Sequence, residues 1–156
     1  MDSEGRAGFQ KTKPIVVPDE EHALVAIQRA ADFFEQQVAA LLKPGGLSPT
    51  QYNVLRILRG AGPDGLPCGE VAGRMINRDP DITRLLDRME SRGLVARVRE
   101  KADRRVITAR ITPDGLLLVA QFDEPVAALA VRQFEALSKA ELRLLLDLVG
   151  RLCPPK

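Results

Sequence analysis

Residues 68–111 constrain the fold more than any other part of the chain. They are predicted to form two short helices separated by a turn, then two short strands joined by a charged tip. In the second helix, apolar residues recur at the spacing of one helical face, at Ile82, Leu85, Leu86 and Met89. Polar and charged residues occupy the opposite face, at Asp81, Arg84, Asp87, Arg88 and Ser91. This pattern indicates a helix that is buried on one side and exposed on the other.

Both ends of this second helix carry local signals. Asp79 is the expected N-cap, because its carboxylate can accept a hydrogen bond from an unpaired N–H group, and Pro80 suits the first helical position. Gly93 follows the helix and favours the left-handed backbone that ends many helices. The order of these elements predicts a helix-turn-helix, with its second helix as recognition helix, followed by a β-hairpin wing.

The predicted wing has a strongly basic tip. Residues 94–99 and 106–111 alternate small or apolar residues with polar ones, as half-buried strands do. The tip between them, residues 100–105, contains Lys and Arg but no Gly or Pro. Arginines on such a tip can enter the minor groove of DNA, where the negative potential is enhanced. The alternative is a tip that is simply solvated. The preceding helix, which has the pattern of a recognition helix, favours the DNA-binding interpretation.

Positive charge is concentrated in this part of the chain. The whole chain has a net charge of +2, whereas residues 74–110 contain eleven Lys or Arg and six Asp or Glu, a net +5. The rest of the chain therefore carries −3. An uneven distribution of this kind is typical of a surface that binds nucleic acid, although solvated helix arginines would contribute to the same count.

Residues 47–115 resemble the winged-helix domain of the MarR family of bacterial transcriptional regulators. The resemblance rests on segments in a fixed order: residues 47–52 (LSPTQY), 81–95 (DITRLLDRMESRGLV), 103–105 (DRR) and 111–115 (ITPDG). With the flanking helices it extends over residues 19–152. It implies a mainly α fold with a small β-wing (α+β), in which a winged helix-turn-helix domain is flanked by dimerisation helices.

The resemblance also implies a division of the chain. Residues 19–152 form a single MarR-like domain, whereas residues 1–18, which are polar, charged and interrupted by Gly and Pro, are themselves predicted to be an N-terminal arm that is disordered or packs on a partner subunit. Within it, residues 47–111 are the winged helix, and the helices of 19–43 and 113–152 interlock with a second copy. The sequence itself shows only that these helices carry apolar stripes, so a compact monomer is the alternative.

Capping signals define the helices outside the central stretch. Asp19 is the expected N-cap of a long first helix that ends at residues 44–46. Residues 48–51 and 138–141 are capping boxes, in which Ser pairs with Gln or Glu three positions later. Thr112 opens a helix that reaches about residue 136, but its box is incomplete, because Gly115 occupies the position where Glu or Gln would complete it.

Two further expectations concern breaks between elements. Pro125 should kink or break the helix that starts at Thr112. Residues 62–67, rich in Gly and Pro, are expected to be a turn-rich connection. The short helix after them should pack behind the recognition helix through Val71, Ala72, Met75 and Ile76.

Candidate DNA contacts lie in the recognition helix. Arg84 and Arg88 are one turn apart on its exposed face, and arginine can donate two hydrogen bonds to guanine O6 and N7. Asp81 and Thr83 lie at the helix start, within reach of bases or phosphates. The further candidates for phosphate contacts are Ser48, Thr50 and Arg78.

In the wing, Arg104 and Arg105 are candidates for the minor groove, with Asp103 orienting one of them through an ion pair. The Asp-x-Arg motif of the family makes Arg105 the favoured minor-groove residue. The implied partners are double-stranded DNA with a pseudo-palindromic operator, a second copy of the chain as homodimer, and a small aromatic or phenolic effector. The two-fold symmetry of such a dimer would match a palindromic site.

The effector, by resemblance, would bind between the dimer helices and the winged domain. Phe33, Phe34 and Tyr52 are the candidate pocket residues, and a core position is the alternative for all three. The predicted function is therefore a homodimeric repressor of a palindromic operator, relieved by a small ligand. The alternatives are a winged helix that binds proteins and a redox-responsive regulator acting through cysteine.

Several functional classes fit the sequence poorly. A single His, no Ser-His-Asp arrangement, no Gly-rich phosphate loop and no metal-ligand cluster argue against an enzyme, so we expect no catalytic residues, metal or cofactor. Cys68 and Cys153 lie far apart in sequence, which suggests neither a disulfide framework nor a metal site. No apolar run approaches the length of a membrane span, and the N-terminus lacks a hydrophobic signal core, so a cytoplasmic protein is expected.

Overall fold

Helices dominate the computed structural model, which describes residues 18–76, 81–99 and 105–152. Its helices are α1 (Asp19–Leu42), α2 (Pro49–Ala61), α3 (Cys68–Arg74), α4 (Ile82–Ser91), α5 (Pro113–Ala120), α6 (Asp123–Gln133) and α7 (Lys139–Leu152). Its strands are β1 (Leu66–Pro67), β2 (Val95–Arg99) and β3 (Ile107–Ile111). The predicted mainly α fold with a small β-wing is confirmed. Among the described helices, none is both long and apolar enough to cross a membrane.

The core lies within residues 34–152. Fully buried side chains come from the end of α1, from α2, α3 and α4, from the sheet and from α5, and include Leu42, Leu55, Leu58, Val71, Leu86, Met89, Val95 and Val119. The expected apolar face of α4 is confirmed, since Leu85, Leu86 and Met89 are at most 2% exposed. Burial of that face fixes which side of α4 remains available to a partner.

Helix α4 ends as its sequence predicts but starts later. Gly93 has a φ of 70°, and the N–H groups of Gly93 and Leu94 donate to the carbonyls of Glu90 and Met89. These two bonds form a Schellman motif, which satisfies carbonyls at the helix end. The N-cap is Asp81, whose carboxylate accepts from the Arg84 N–H at 3.1 Å. The expected cap at Asp79 was therefore wrong; residues 79–80 themselves lie outside the described residues.

The wing strands pair as expected, and a third strand joins them. β2 and β3 are antiparallel, with Val95 opposite Ile111 and Arg97 opposite Ala109. β1 pairs with the other edge of β3, so the strand order is β1-β3-β2. The expectation that residues 62–67 only form a connection was wrong. β1 could not be predicted from the sequence, because a two-residue strand is too short to show an alternating pattern and proline is uncommon in strands.

The helix expected from Thr112 to about residue 136 is divided into α5 and α6. Pro125 has no N–H to donate to Gln121, and the helix is interrupted at Gln121 and Phe122, one turn before the proline. The expected break is confirmed and lies N-terminal to Pro125. Both expected capping boxes are present, at Ser48–Gln51 and Ser138–Glu141.

Two expectations about helix ends need correction. Asp19 is the first residue of α1 rather than its cap, because the carbonyl of Pro18 accepts from Glu21 and His22. Ile76 does not pack behind α4: α3 ends at Arg74, and Ile76 is 76% exposed. Its backbone N–H donates to Asn53 Oδ1 at 3.0 Å, so the chain turns away from the core after the buried Met75.

Candidate nucleic-acid interface

The exposed face of α4 presents the residues expected to meet DNA. The Arg84 side chain is 83% exposed, and its Nε lies 3.0 Å from Asp81 Oδ2. The other carboxylate oxygen of Asp81 caps the helix, so Asp81 holds both the backbone and the guanidinium of Arg84. Thr83 and Arg88 are exposed on the same helix. Asp81 therefore acts within the chain, while Arg84 and Arg88 extend towards solvent.

A set of hydrogen bonds and ion pairs from Arg97 joins α4 to the wing. Arg97 on β2 donates from Nε and Nη2 to Glu90 Oε2, at 2.9 and 2.7 Å, and Nη2 also pairs with Asp87. The Arg97 backbone N–H donates to Glu90 Oε1 at 2.9 Å. These hydrogen bonds from Arg97 hold the pKa of Glu90 below its ordinary range. The Arg97 charge is balanced by two carboxylates, so it contributes little to the basic surface.

The C-terminal end of α4 is fixed to the turn between α1 and α2. Arg92 donates from Nη1 to the carbonyl of Gly46 at 2.7 Å, and from Nη2 to that of Gly45 at 3.2 Å. The Arg92 Nη1 also lies 3.5 Å from Gln51 Oε1, the residue that completes the α2 capping box. Arg92 is thus a structural arginine, although it contributes to the positive charge counted from the sequence.

Neither Arg92 nor Arg97 was identified from the sequence as an organising residue. A usable signal existed for Arg97, because Asp87 and Glu90 are one turn apart on α4. A hairpin that follows a helix directly after a glycine turn folds back over the last turn of that helix. No comparable signal exists for Arg92, whose acceptors are backbone carbonyls 46 and 47 positions away.

Several sequence candidates lie at the margins of the described structure. Arg105 is exposed and lies two positions before Ile107, the first residue of β3. Arg78, Asp103 and Arg104 lie outside the described residues. The Ser48 hydroxyl accepts from the Gln51 N–H at 3.1 Å, which leaves its own O–H available to donate. Thr50 is half-buried in the first turn of α2.

The candidate effector residues have separate environments. Tyr52 is a core residue that packs edge-on against Phe122 at 6.5 Å, with the Arg56 guanidinium 5.8 Å from the centre of its ring. Burial raises the pKa of Tyr52. Phe34 is half-buried and packs against Phe134 at 5.3 Å, whereas Phe33 is 53% exposed. The core alternative therefore holds for Tyr52.

The aromatic pair of Tyr52 and Phe122 lies beside an ion pair between α2 and α6. Arg59 donates from both terminal nitrogens to the two carboxylate oxygens of Asp123, at 2.7 and 2.8 Å. The hydrogen bonds from Arg59 lower the pKa of Asp123. Because Asp123 follows Phe122 directly, this pairing fixes the start of α6 against α2.

Cys68 has the environment of an inert thiol. It is half-buried at the start of α3, and burial raises its pKa, so the protonated thiol is the form present near neutral pH. Cys153 lies outside the described residues. Within residues 18–76, 81–99 and 105–152, no three His, Cys, Asp or Glu side chains are grouped so as to hold a metal ion.

Comparison with known proteins agrees with this geometry. The model of the MarR family matches residues 47–107. An uncharacterized HTH-type transcriptional regulator of Bacillus subtilis, YpoP, is 30% identical over 68% of this chain and 74% of its own length. The crystal structure of a MarR transcription factor from Planctomyces limnophilus is 35% identical, covers 88% of this chain and 98% of its own, and superposes with a TM-score of 0.66.

Two similar structures are of CouR, one with DNA bound and one with a small molecule bound. The transcriptional repressor CouR bound to a 23-mer DNA duplex is 30% identical, covers 81% of this chain and 89% of its own, and has a TM-score of 0.72. CouR from Rhodococcus jostii RHA1 bound to p-coumaroyl-CoA is 27% identical, with coverages of 84% and 91% and a TM-score of 0.71.

Proposed function

The chain belongs to the MarR family of DNA-binding, helix-turn-helix transcriptional regulators, and we propose that it is a homodimeric repressor of a pseudo-palindromic operator, relieved by a small ligand. The observation that carries this proposal is the two-sided α4. On one face Leu85, Leu86 and Met89 are at most 2% exposed, and the other face presents Arg84 with 83% of its side chain exposed.

In this proposal α4 enters the major groove and the wing lies over the adjacent minor groove. Arg84 reads a base, since its early position in α4 brings it nearest the groove floor, and Arg88 meets the backbone one turn later. Arg105, with Arg104 and Asp103, serves the minor groove, and Ser48, Thr50 and Arg78 contact phosphates. The relative CouR, crystallised with a DNA duplex, supports this class of partner.

The dimer is proposed from the apolar surface of α7. None of its residues is buried in the single chain, and its exposed apolar residues are Leu144, Leu145, Leu146, Leu148, Val149 and Leu152. A cluster of exposed apolar residues on one helix is typical of a protein–protein interface. Residues 19–43 and 113–152 supply the dimerisation helices, and two-fold symmetry would present two copies of α4 to a palindromic site.

The effector is proposed to be a small aromatic or phenolic compound. The relative CouR was crystallised with p-coumaroyl-CoA, a phenolic thioester. Of the three candidate pocket residues, Phe34 is half-buried and Phe33 is 53% exposed, so a ligand could reach these two rings, whereas Tyr52 is only 5% exposed. Accessible aromatic rings suit a small aromatic or phenolic ligand.

The test is whether the protein binds one DNA sequence in preference to others. Duplexes recovered by the protein from a randomised library, and scrambled versions of them, are compared at two salt concentrations. A repressor of a defined operator should bind the recovered duplex far more tightly than the scrambled one at both salts. Equal affinity for both duplexes would contradict the proposal and favour the protein-binding alternative.

A further inference from the structure

We propose that Arg97, together with Asp87 and Glu90, is a positioning cluster that sets the wing at a fixed orientation relative to the recognition helix α4. This inference rests on the proposed function, in which α4 and the wing contact one DNA duplex together. The three residues are called the Arg97 cluster below. They do not contact DNA in this proposal; they determine whether two other surfaces can contact it at the same time.

The geometry of the Arg97 cluster is suited to positioning. Glu90 uses one carboxylate oxygen for the Arg97 guanidinium and the other for the Arg97 backbone N–H, at distances between 2.7 and 2.9 Å. It therefore holds the main chain of β2 as well as the side chain. Asp87, one turn earlier on α4, pairs with Nη2 of the same guanidinium. A planar guanidinium held from two sides has little rotational freedom.

The Arg97 cluster lies beyond the part of the wing that ordinary packing anchors. Leu94 and Val95, at the base of β2, are 5% and 2% exposed. Val95 and Arg97 project from the same face of the strand, because side chains alternate along it. Val98 and Arg99 are exposed, so Arg97 extends the attachment to α4 into the outer part of the strand. The Arg97 side chain itself is only 20% exposed.

The negative charge of Glu90 allows a positioning role to be distinguished from a direct electrostatic effect on DNA affinity. Asp87 and Glu90 are acidic residues on the helix that faces DNA, and an anion there repels phosphates. Removing the negative charge of Glu90 should therefore tighten binding to every duplex if electrostatics alone matter. If Glu90 positions the wing, the same change should weaken operator binding, because the wing no longer matches the groove. The two explanations predict opposite signs for the same isosteric substitution.

The experiment compares Glu90→Gln with the unmodified protein on a library-recovered duplex and on its scrambled version. Affinity for the recovered duplex should fall about tenfold, the effect of losing one charge-assisted interaction, whereas affinity for scrambled DNA should stay level or rise. Asp123→Asn is the control. It removes the carboxylate that pairs with Arg59, away from α4 and the wing, and should leave the ratio of the two affinities unchanged. Tighter binding of Glu90→Gln to both duplexes would overturn the proposal.

A second variant and a measurement without DNA complete the test. Arg97→Lys retains the charge but cannot form the two-pronged pairing, and it should also lose operator preference. Spin labels at Ser91 and Arg105, in a background with serine at both cysteine positions, report the distance between α4 and the wing. The distribution of distances between the two labels should broaden in Glu90→Gln. An unchanged distribution would refute the positioning role, and this result does not depend on whether the protein recognises an operator. Absence of any duplex preference in the unmodified protein would instead defeat the proposed function.

Discussion

Gly115 packs directly against the backbone carbonyl of Leu94, so closely that a Cβ atom on residue 115 would overlap the carbonyl oxygen. The same carbonyl accepts from the Thr112 N–H at 3.1 Å, and the Thr112 hydroxyl donates to the Gly93 carbonyl at 2.6 Å. The first turn of α5 is therefore fixed to the turn that ends α4. This contact explains why the capping box at Thr112 has glycine where Glu or Gln would complete it.

Gly115→Ala should destabilise the fold by about 1–3 kcal/mol, as an overpacked core position does, although alanine is the better helix former. Denaturant unfolding monitored by circular dichroism measures the effect. Gly60→Ala is the matched control: Gly60 lies in α2, where an added Cβ atom would have no neighbour within 4 Å, so this change should be neutral or stabilising. Equal effects of the two substitutions would contradict the close packing at Leu94.

Asp123→Asn should lower the free energy of unfolding by up to about 1 kcal/mol near neutral pH, since both partners of its fork with Arg59 are partly exposed. The pKa of Asp123 lies below its ordinary value of 3.8, so the stabilisation is complete above that value and is lost as the pH falls through the lowered pKa. The difference between the two proteins should therefore disappear in acid. A difference that persists or grows there would exclude the Arg59 pairing as its cause.

Leu146→Glu should disrupt the proposed dimer. Leu146 is 66% exposed in the single chain, where such a change would cost at most about 0.5 kcal/mol, but at an interface it buries an unpaired charge. Light scattering should show loss of the dimer. Arg143→Gln, on the same helix, changes the net charge by the same −1 and serves as the control. If Leu146→Glu forms a dimer of unchanged stability, α7 does not build the interface through this residue.

Arg84→Ala should lower affinity for the library-recovered duplex by roughly 1–3 kcal/mol and for scrambled DNA much less, because a base contact carries sequence information and a phosphate contact does not. Arg88→Ala is the comparison, expected to weaken both duplexes alike. Competition binding at one salt concentration distinguishes the two. Equal losses on both duplexes for Arg84→Ala would assign Arg84 to the backbone.

Arg105→Ala should weaken DNA binding and flatten its salt dependence, by about 0.9 in the slope of log affinity against log salt for each phosphate charge no longer neutralised. The double replacement of Arg104 and Arg105 should have the larger effect. Affinity titrations over a range of salt concentrations provide the slope. An unchanged slope in both variants would remove the wing tip from the interface.

The sequence by itself determined the features that depend on near neighbours. The buried face of α4, the Gly93 turn, the capping boxes at Ser48 and Ser138, and the pairing of β2 with β3 all follow from side chains within a few positions of one another. Helical and strand periodicity, capping and left-handed glycine are local effects, so a single sequence records them.

Only the tertiary structure decided which charges organise the fold and which remain available. The sequence presents Arg84, Arg92 and Arg97 alike, yet Arg97 is held by Asp87 and Glu90, and Arg92 by backbone carbonyls 46 and 47 residues away. The β1 strand and the close contact of Gly115 with Leu94 also depend on segments distant in sequence. Such contacts form where the chain folds back on itself, and the hydrophobic pattern along one segment does not specify the partner it meets.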